Sequence, residues 1–334
     1  MSFASVLLTV AVTAACANPT EEEVQVSEAP STTAQELSSV ASPVPSVSAT
    51  TTTVPSTTTS EPAALVVAQP ADLTFAFAES VPPDQIEELE RAVLLAVAFY
   101  QSRGYEFGPT TVFVDTDAGR LAETIRQTED LPPETGDFGD VISSLTRPSG
   151  VYLLISSFAD QTPLRTLSLV GHEFFHILQF RLAGISDPPD ERFGQVVGPV
   201  WLLEGSAEYM KFRVLDEAGS ALIDDSEFFG AEIVDGEFVS RLFGAKSVSE
   251  FVESRIASAQ RANFNLADLH TYEGFFETDG YAVSLAAASR LSELTGEESL
   301  FNYWAALGEG MAWPQAFEET FGISVEDFES TFRP

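Results

Sequence analysis

Hydrophobic residues in the first half of the chain recur with the periods of strands and helices. Alternation over residues 73–77 and apolar runs over 110–114 and 151–155 predict three strands. Apolar positions at helical spacing predict helices over residues 83–104 and 118–127. We therefore expect a small sheet with helices between its strands.

A third helical pattern begins at Pro163, with Thr162 as the expected N-cap, and ends before Gly184. Residues 187–199 have the composition of a loop and lead to another helix, which is expected to end near Gly219.

The rest of the chain is acidic at first and then helical. Residues 220–244 are expected to be irregular and to form a lid or a rim of a cleft. From residue 247 onward the pattern is mostly helical. The expected turns lie near Asn263, Gly280, Gly296 and Gly322.

The helix that begins at Pro163 contains His172-Glu173-Phe174-Phe175-His176. Residues four apart lie on one face of a helix, so both imidazoles can reach a single ion. A glutamate directly after the first histidine can accept a proton from water at that ion. Two of the 3 histidines in the chain have this spacing. The pattern predicts His172 and His176 as zinc ligands and Glu173 as the general base.

A third ligand is needed, and its type decides the class of zinc site. Gln179 and Leu182 stand where the extended metzincin pattern requires Gly and His, which excludes that class. Glu204 is the expected third ligand, because two imidazoles and a carboxylate leave the fourth position of zinc open. Glu208 lies one helical turn further on and is expected to accept a hydrogen bond from the free ring nitrogen of His172.

These motifs resemble those of the gluzincins, the zinc metallopeptidases of the peptidase MA-like group. The resemblance covers residues 166–334, and its specific part consists of the histidine motif and of Trp201-Leu202-x-Glu204-Gly205-x-Ala207-Glu208-Tyr209. Weaker likenesses to the later helix and the closing helix of the family are Gly280-Tyr281-Ala282-x-x-x-Ala286 and residues 316–324.

The resemblance implies an α+β fold with a thermolysin-like gluzincin core. A small mixed sheet would pack on the metal-binding helix, and a mostly helical C-terminal lobe would follow. In gluzincins the sheet edge beside that helix pairs with extended substrate. The strand predicted over residues 151–155 is either this edge or an ordinary core strand.

Hydrolysis also requires a hydrogen-bond donor for the oxyanion that forms when water attacks a carbonyl. Tyr281, at the start of a predicted helix in the later motif, is the first candidate, and a tyrosine of the core is the alternative. His270 is the second candidate, and a surface histidine is the alternative there.

Acidic residues outnumber basic ones by 51 to 16, for a formal net charge of −35. Such a surface repels phosphate backbones, which excludes nucleic acid as a partner. The excess of acidic residues indicates a surface adapted for solubility, or alternatively a preference for cationic substrates.

The N-terminus has the form of an export signal. Residues 4–15 are a short apolar run that ends in small residues before Cys16, the single cysteine. The run is too short to span a membrane, and residues 13–16 resemble a bacterial lipobox, whose cysteine is acylated. Thr13 and the lack of a basic residue before the run depart from that pattern. We therefore expect a lipid anchor on the outer face of the bacterial cytoplasmic membrane, or otherwise secretion after cleavage of the signal peptide.

The chain is expected to have three parts. Residues 1–16 would be the signal peptide, and residues 17–69 a disordered tether, because this stretch is rich in Ser, Thr and Pro and has no aromatic residue. Residues 70–334 would be the catalytic domain. The only expected contact with a membrane is the N-terminal anchor.

Two classes of function fit these patterns. The first is a zinc-dependent hydrolase, specifically a cell-surface metallopeptidase that acts on peptides or proteins. The second is a surface-anchored zinc-binding or structural protein that has the same fold and no turnover. Glu173 favours the first class, because a site without turnover has no need of a base.

Overall fold

A mixed four-stranded sheet lies at the start of the region that this computed structural model describes. The strands are β1 Leu73–Phe77, β2 Thr110–Asp115, β3 Ser144–Arg147 and β4 Gly150–Leu154, in the spatial order β1-β2-β4-β3. Strands β1, β2 and β4 are parallel, and β3 is antiparallel to β4. The structure describes residues 70, 72–131, 144–155, 163–186, 196–222, 232–234, 237–239, 252–257, 265–276 and 280–333.

Two helices join the strands of the sheet, as predicted. Helix α1, Pro83–Ser102, has proline in its first turn, and α2, Ala118–Thr128, is capped by the side chain of Asp117. Helix α1 packs with the later helix α3, Pro163–Leu182, whereas α2 packs on β2 and β4. Val151 and Leu153 of β4 belong to the core cluster that contains α1 and α3, whereas Tyr152 and Leu154 pack with α2, so helices cover both faces of the sheet.

The predicted strand at residues 151–155 is a core strand and not an edge. Strand β4 pairs with β2 on one side and β3 on the other, and all five of its residues are buried. The interpretation of this strand as a substrate-pairing edge is therefore wrong. Among the described strands, β3 is the edge beside α3, and the apolar pattern missed it because it is only 4 residues long and Leu145 is its single apolar residue.

The remainder of the described chain is mostly helical, as expected, so the fold class is α+β. Helix α4, Val200–Leu222, runs three residues beyond the predicted end at Gly219. Later elements are a helical turn at residues 252–257 (α5), a 3₁₀ helix at Leu266–His270, and five helices: α6 Tyr272–Phe276, α7 Gly280–Thr295, α8 Glu298–Gly308, α9 Trp313–Phe321 and α10 Val325–Thr331. Glycines with positive φ follow α3, α7 and α9, at Gly184, Gly296 and Gly322.

A small antiparallel hairpin lies within the stretch that was expected to be irregular. Strands β5, Glu232–Val234, and β6, Glu237–Val239, pair with each other. The two residues between them in the sequence are Asp235 and Gly236, a dipeptide typical of hairpin turns. The sequence therefore contained a signal for this hairpin that the prediction did not use.

Helix α4 packs between α3 and α7, and small residues allow the close approach. A Cβ atom on Gly205 would lie 2.4 Å from the backbone oxygen of Ser284 in α7, so only glycine fits there. On the other side, a Cβ on Gly171 would lie 3.2 Å from Val214 of α4. Both glycines neighbour residues of the metal motifs, so the close helix crossings set the position of His172 and Glu204.

Several predictions concern residues outside the described part of the chain. They are the signal peptide and Cys16, the tether at 17–69, the N-cap Thr162, most of the loop at 187–199, much of the proposed lid at 220–244 and the turn at Asn263. Within the described residues, no helix combines the length and the hydrophobicity needed to cross a membrane.

Candidate metal centre

Three buried side chains from two helices meet at one point. His172 and His176 lie one turn apart on α3, and Glu204 lies in the second turn of α4. All three are at least nine-tenths buried. The structure therefore brings together the three residues predicted as metal ligands, which are the only such group among the described residues.

The ligand atoms are separated by distances suited to a small ion. The two Nε2 atoms of His172 and His176 lie 3.0 Å apart, and Glu204 Oε2 lies 3.3 Å and 3.6 Å from them. Donor atoms bound at about 2.0–2.2 Å to a tetrahedral ion lie about 3.3–3.6 Å from one another. The two distances to Glu204 match this range, and the two imidazole nitrogens lie slightly closer together. Within the described residues, Glu204 Oε2 is buried and has no hydrogen-bond partner. The three residues fit a metal ion that this oxygen would bind.

Gln179 determines which nitrogen of His176 is free to bind a metal. The amide nitrogen of Gln179 donates hydrogen bonds to the backbone oxygen of Leu203 and to Ser206 Oγ, both at 2.9 Å. Its Oε1 therefore faces His176, and lies 2.5 Å from Nδ1. Because this oxygen can only accept, Nδ1 carries the proton and Nε2 of the neutral ring has its lone pair available.

In the metal-free protein His176 and Glu204 form a buried charge pair. Burial lowers the pKa of His176, but the nearby carboxylate of Glu204 outweighs this effect and raises the pKa to about 9. Burial likewise raises the pKa of Glu204, but the charge of His176 lowers it well below its usual range. Metal binding must therefore displace a proton from His176, since a ligand imidazole is neutral.

The second oxygen of Glu204 has a partner that the sequence did not suggest. The Tyr272 hydroxyl, on α6, donates to Glu204 Oε1 at 2.9 Å. Burial and the charge of Glu204 raise the pKa of Tyr272 well above its usual value, so the hydroxyl keeps its proton. This hydrogen bond orients the carboxylate and leaves Oε2 facing the histidines.

Glu173 is buried on the side of α3 that faces the edge strand β3. Ser144 Oγ donates to Glu173 Oε1 at 2.7 Å, and Thr146 Oγ1 donates to Oε2 at 2.5 Å. Each carboxylate oxygen accepts one hydroxyl and retains a lone pair for another donor. The two hydroxyls of β3 thus hold the predicted base in position.

Tyr281, the first of the two predicted oxyanion donors, lies near the candidate metal ligands. Its ring centroid is 6.3 Å from that of His172, and its buried hydroxyl has no hydrogen-bond partner among the described residues. Burial, together with the charge of Glu204, raises its pKa well above the usual value, so it is a donor over the physiological pH range.

His270 and Glu208 have partners away from the ligand nitrogens. His270 Nε2 lies 2.6 Å from Glu329 Oε1, an oxygen that also accepts from Trp201 Nε1. Glu208 forms an ion pair with Lys211 at 2.5 Å. Among the described contacts, none joins His270 to a metal ligand and none joins Glu208 to His172.

Sequence reasoning missed the residues that position the ligands and the base. Gln179 had a detectable signal, because it lies one helical turn after His176. Ser144, Thr146 and Tyr272 had none, since each reaches the site from an element distant in sequence.

Comparison with protein-family models gives no match for this chain, and comparison with curated proteins gives no similar sequence.

Proposed function

We propose that the chain is a zinc-dependent hydrolase that cleaves peptide bonds. In this proposal His172, His176 and Glu204 bind zinc, and Glu173 is the general base. The finer description of the fold, a thermolysin-like gluzincin core, belongs to the same proposal.

The main support is the meeting of three buried ligand atoms within 3.6 Å of one another, one of them a carboxylate oxygen that accepts no hydrogen bond from the described residues. Two imidazoles and one carboxylate are the ligand set typical of catalytic zinc, which keeps its fourth position open. Glu173, adjacent to His172 on α3, adds a carboxylate whose position is held by two hydroxyls.

Zinc at this centre would supply a Lewis acid and a water of lowered pKa. Glu173 would accept the proton of the attacking water and pass it to the leaving amine. For this transfer the carboxylate must hold one orientation, and the bonds from Ser144 and Thr146 supply that constraint.

The hydroxyl of Tyr281 is the best-placed oxyanion donor in the described part of the chain. It is buried, protonated and without a partner, so it can donate to a developing negative charge. Tyr272 already donates to Glu204 and is better suited to orienting that ligand. His270, paired with Glu329, is the weaker of the two predicted candidates.

Strand β3 supports binding of an extended peptide. It pairs only with β4 among the described strands, and its residues Ser144 and Thr146 contact the base. A substrate strand added along this edge would run beside Glu173. We also propose that the protein is exported and anchored through Cys16, with residues 17–69 as a tether.

The test compares Glu173→Gln with wild-type protein. Glutamine keeps the size of the side chain but is not a base. Its amide oxygen accepts from one of the two hydroxyls, and its amide nitrogen donates to the other, whose proton rotates away. We expect unchanged zinc content and a fall of about 10²–10⁴-fold in the cleavage rate of a peptide library. Glu123→Gln, at an exposed glutamate of α2, is the matched control and should leave both quantities unchanged.

Equal rates in wild type and Glu173→Gln would remove Glu173 as the base. Zinc bound by the wild type without cleavage of any peptide would favour the alternative function, a zinc-binding protein without turnover. Wild-type protein that binds no zinc would reject the metal centre itself.

A further inference from the structure

One carboxylate oxygen on the last helix contacts two segments that build the candidate metal centre. Glu329 lies on α10, and its side chain is only 9% exposed. Its Oε1 accepts a hydrogen bond from Trp201 Nε1 at 2.8 Å and lies 2.6 Å from His270 Nε2. Because an ionised carboxylate can only accept, Nε2 of His270 is also a donor. The two donors therefore share one acceptor.

The first donor lies on the helix of the third candidate ligand. Trp201 precedes Glu204 by three residues on α4, so one turn of helix connects them. Trp201 is fully buried, and its ring packs against Phe317 and Phe328, with centroids 6.0 Å and 5.6 Å away. Phe328 directly precedes Glu329 on α10. This packing holds the indole in one orientation, and its N–H joins α10 to the first turn of α4.

The second donor lies on the segment that carries the partner of that ligand. His270 ends the 3₁₀ helix and precedes Tyr272 by two residues. The Tyr272 hydroxyl donates to Glu204 Oε1 at 2.9 Å. This segment is tightly folded, since a Cβ atom on Gly274 of α6 would lie 2.0 Å from the backbone oxygen of Asp268. The position of His270 therefore constrains the position of Tyr272.

The contacts of Glu329 form a closed ring that includes Glu204. On one side, the indole of Trp201 links Glu329 to the helix of Glu204. On the other side, His270 links Glu329 to the segment of Tyr272. The Tyr272 hydroxyl closes the ring through its bond to Glu204. Because a hydrogen bond weakens steeply as its geometry departs from the optimum, a small shift of α6 relative to α4 would weaken that bond.

We propose that Glu329 is a positioning residue of the metal centre, which holds Tyr272 in place to bond Glu204. This inference rests on the metal centre of the proposed function and does not require hydrolysis. The bond from Tyr272 leaves Glu204 Oε2 facing the two histidines. A displaced Tyr272 would let the carboxylate rotate, and zinc would bind more weakly. The last helix thus acts on the metal without contacting it.

Competition for zinc between the full chain and a chromogenic chelator, at constant pH, tests the proposal. Glu329→Met removes the shared acceptor and should bind zinc about tenfold more weakly than the wild type. Glu329→Gln keeps an oxygen that can accept from both donors, so it should bind zinc more tightly than Glu329→Met. Glu326→Met, at an exposed glutamate of the same helix, is the matched control and should match the wild type. Wild-type affinity in Glu329→Met, or equally weak binding by both Glu329 variants, would overturn the proposal.

A double-mutant cycle separates positioning of Tyr272 from a general structural role. Tyr272→Phe keeps the ring, removes the hydroxyl and should weaken zinc binding about 10–100-fold. In the Tyr272→Phe protein, Glu329→Met should change the affinity by less than about twofold, because the bond that Glu329 positions is already absent. A full tenfold effect in both backgrounds would show that Glu329 acts independently of Tyr272, which would overturn the proposal.

A second variant serves if circular dichroism shows that Glu329→Met does not fold. His270→Leu changes a side chain that is 38% exposed, and it leaves the bond between Trp201 and Glu329 intact. It removes only the contact that leads to Tyr272. His270→Leu should weaken zinc binding in the wild-type background and have no effect in the Tyr272→Phe background. Unchanged affinity in the wild-type background would overturn the proposal.

The proposal can be tested even if the wild type binds no zinc, a result that would reject the metal centre. The same cycle is then measured as the free energy of unfolding of the zinc-free protein. Residues that act as one unit give a double variant that loses less stability than the sum of the two single losses. We expect this result for Tyr272→Phe combined with Glu329→Met, or with His270→Leu. Additive losses would overturn the role of Glu329.

Discussion

The hydrogen bond between Gln179 and His176 provides a sharp test of how the metal centre is organised. Gln179→Met keeps the length of the side chain but removes the oxygen that lies 2.5 Å from His176 Nδ1. The proton on Nδ1 would then have lost its acceptor, and the ring could adopt the other tautomer. In that tautomer the proton is on Nε2, the atom that faces Glu204 and the metal.

The expected magnitude follows from which atoms lose their partners. Leu203 O and Ser206 Oγ lose the amide donors, but the Ser206 hydroxyl still bonds the backbone oxygens of Leu202 and Leu203. The cost is thus concentrated on His176, whose buried N–H is left unpaired, and is about 1–3 kcal/mol. This range agrees with the roughly 10–100-fold loss of metal affinity typical when the partner of a ligand histidine is removed.

The assay is competition for zinc between the protein and a chromogenic chelator at constant pH. We expect Gln179→Met to bind zinc about 10–100-fold more weakly than the wild type. Ser206→Ala is the matched control, because it removes one partner of the Gln179 amide and leaves both the bond to Leu203 and the bond to His176. Its zinc affinity should stay close to that of the wild type.

Equal zinc affinity in Gln179→Met and the wild type would refute the reasoning, provided that circular dichroism shows both proteins to be folded. It would mean that the tautomer of His176 does not depend on Gln179. An equally large loss in Ser206→Ala would point instead to general loosening of the contact between α3 and α4.

Three further predictions concern other parts of the molecule. Gly205→Ala should lower the free energy of unfolding by about 1–3 kcal/mol, measured by denaturant titration, because the added methyl group would overlap the Ser284 carbonyl. In zinc-free protein, the pKa of His176 is raised from 6.5 to about 9. The stabilisation of the folded state by protonated His176 is therefore complete below pH 6.5 and is lost as pH rises through 9. Chelator-treated protein should therefore lose about 3 kcal/mol of stability between these values, and an unchanged melting temperature would contradict the buried charge pair with Glu204. Mass spectrometry of membrane-extracted protein should show an acylated N-terminus at Cys16, whereas an unmodified chain that starts elsewhere would reject the lipid anchor.

The candidate metal ligands could be predicted from the sequence because their arrangement is mostly local. The helical period alone places His172 and His176 on one face, and hydrogen bonds within α3 maintain that spacing. Glu204 could be predicted only from the motif at residues 201–209, because no local rule relates its position to α3. The parallel strands and their helices could also be predicted, since each has a continuous periodic pattern.

Only the tertiary structure showed which side chains orient these ligands. The hydroxyls of Ser144 and Thr146 reach Glu173 from a strand 27 to 29 residues away, and Tyr272 reaches Glu204 across 68 residues. Only the structure also showed which strand is the edge of the sheet, because this depends on β4 pairing with both β2 and β3.

The partners of His270 and Glu208 also could not be predicted from the sequence. Both residue types suit the roles predicted for them, but His270 pairs with Glu329 of α10 and Glu208 with Lys211 of its own helix. Residue type and helical period describe what a side chain can do and which face it occupies. Its actual partner depends on how distant elements pack, because hydrogen bonds and ion pairs act over a few ångströms and only packing brings those groups together.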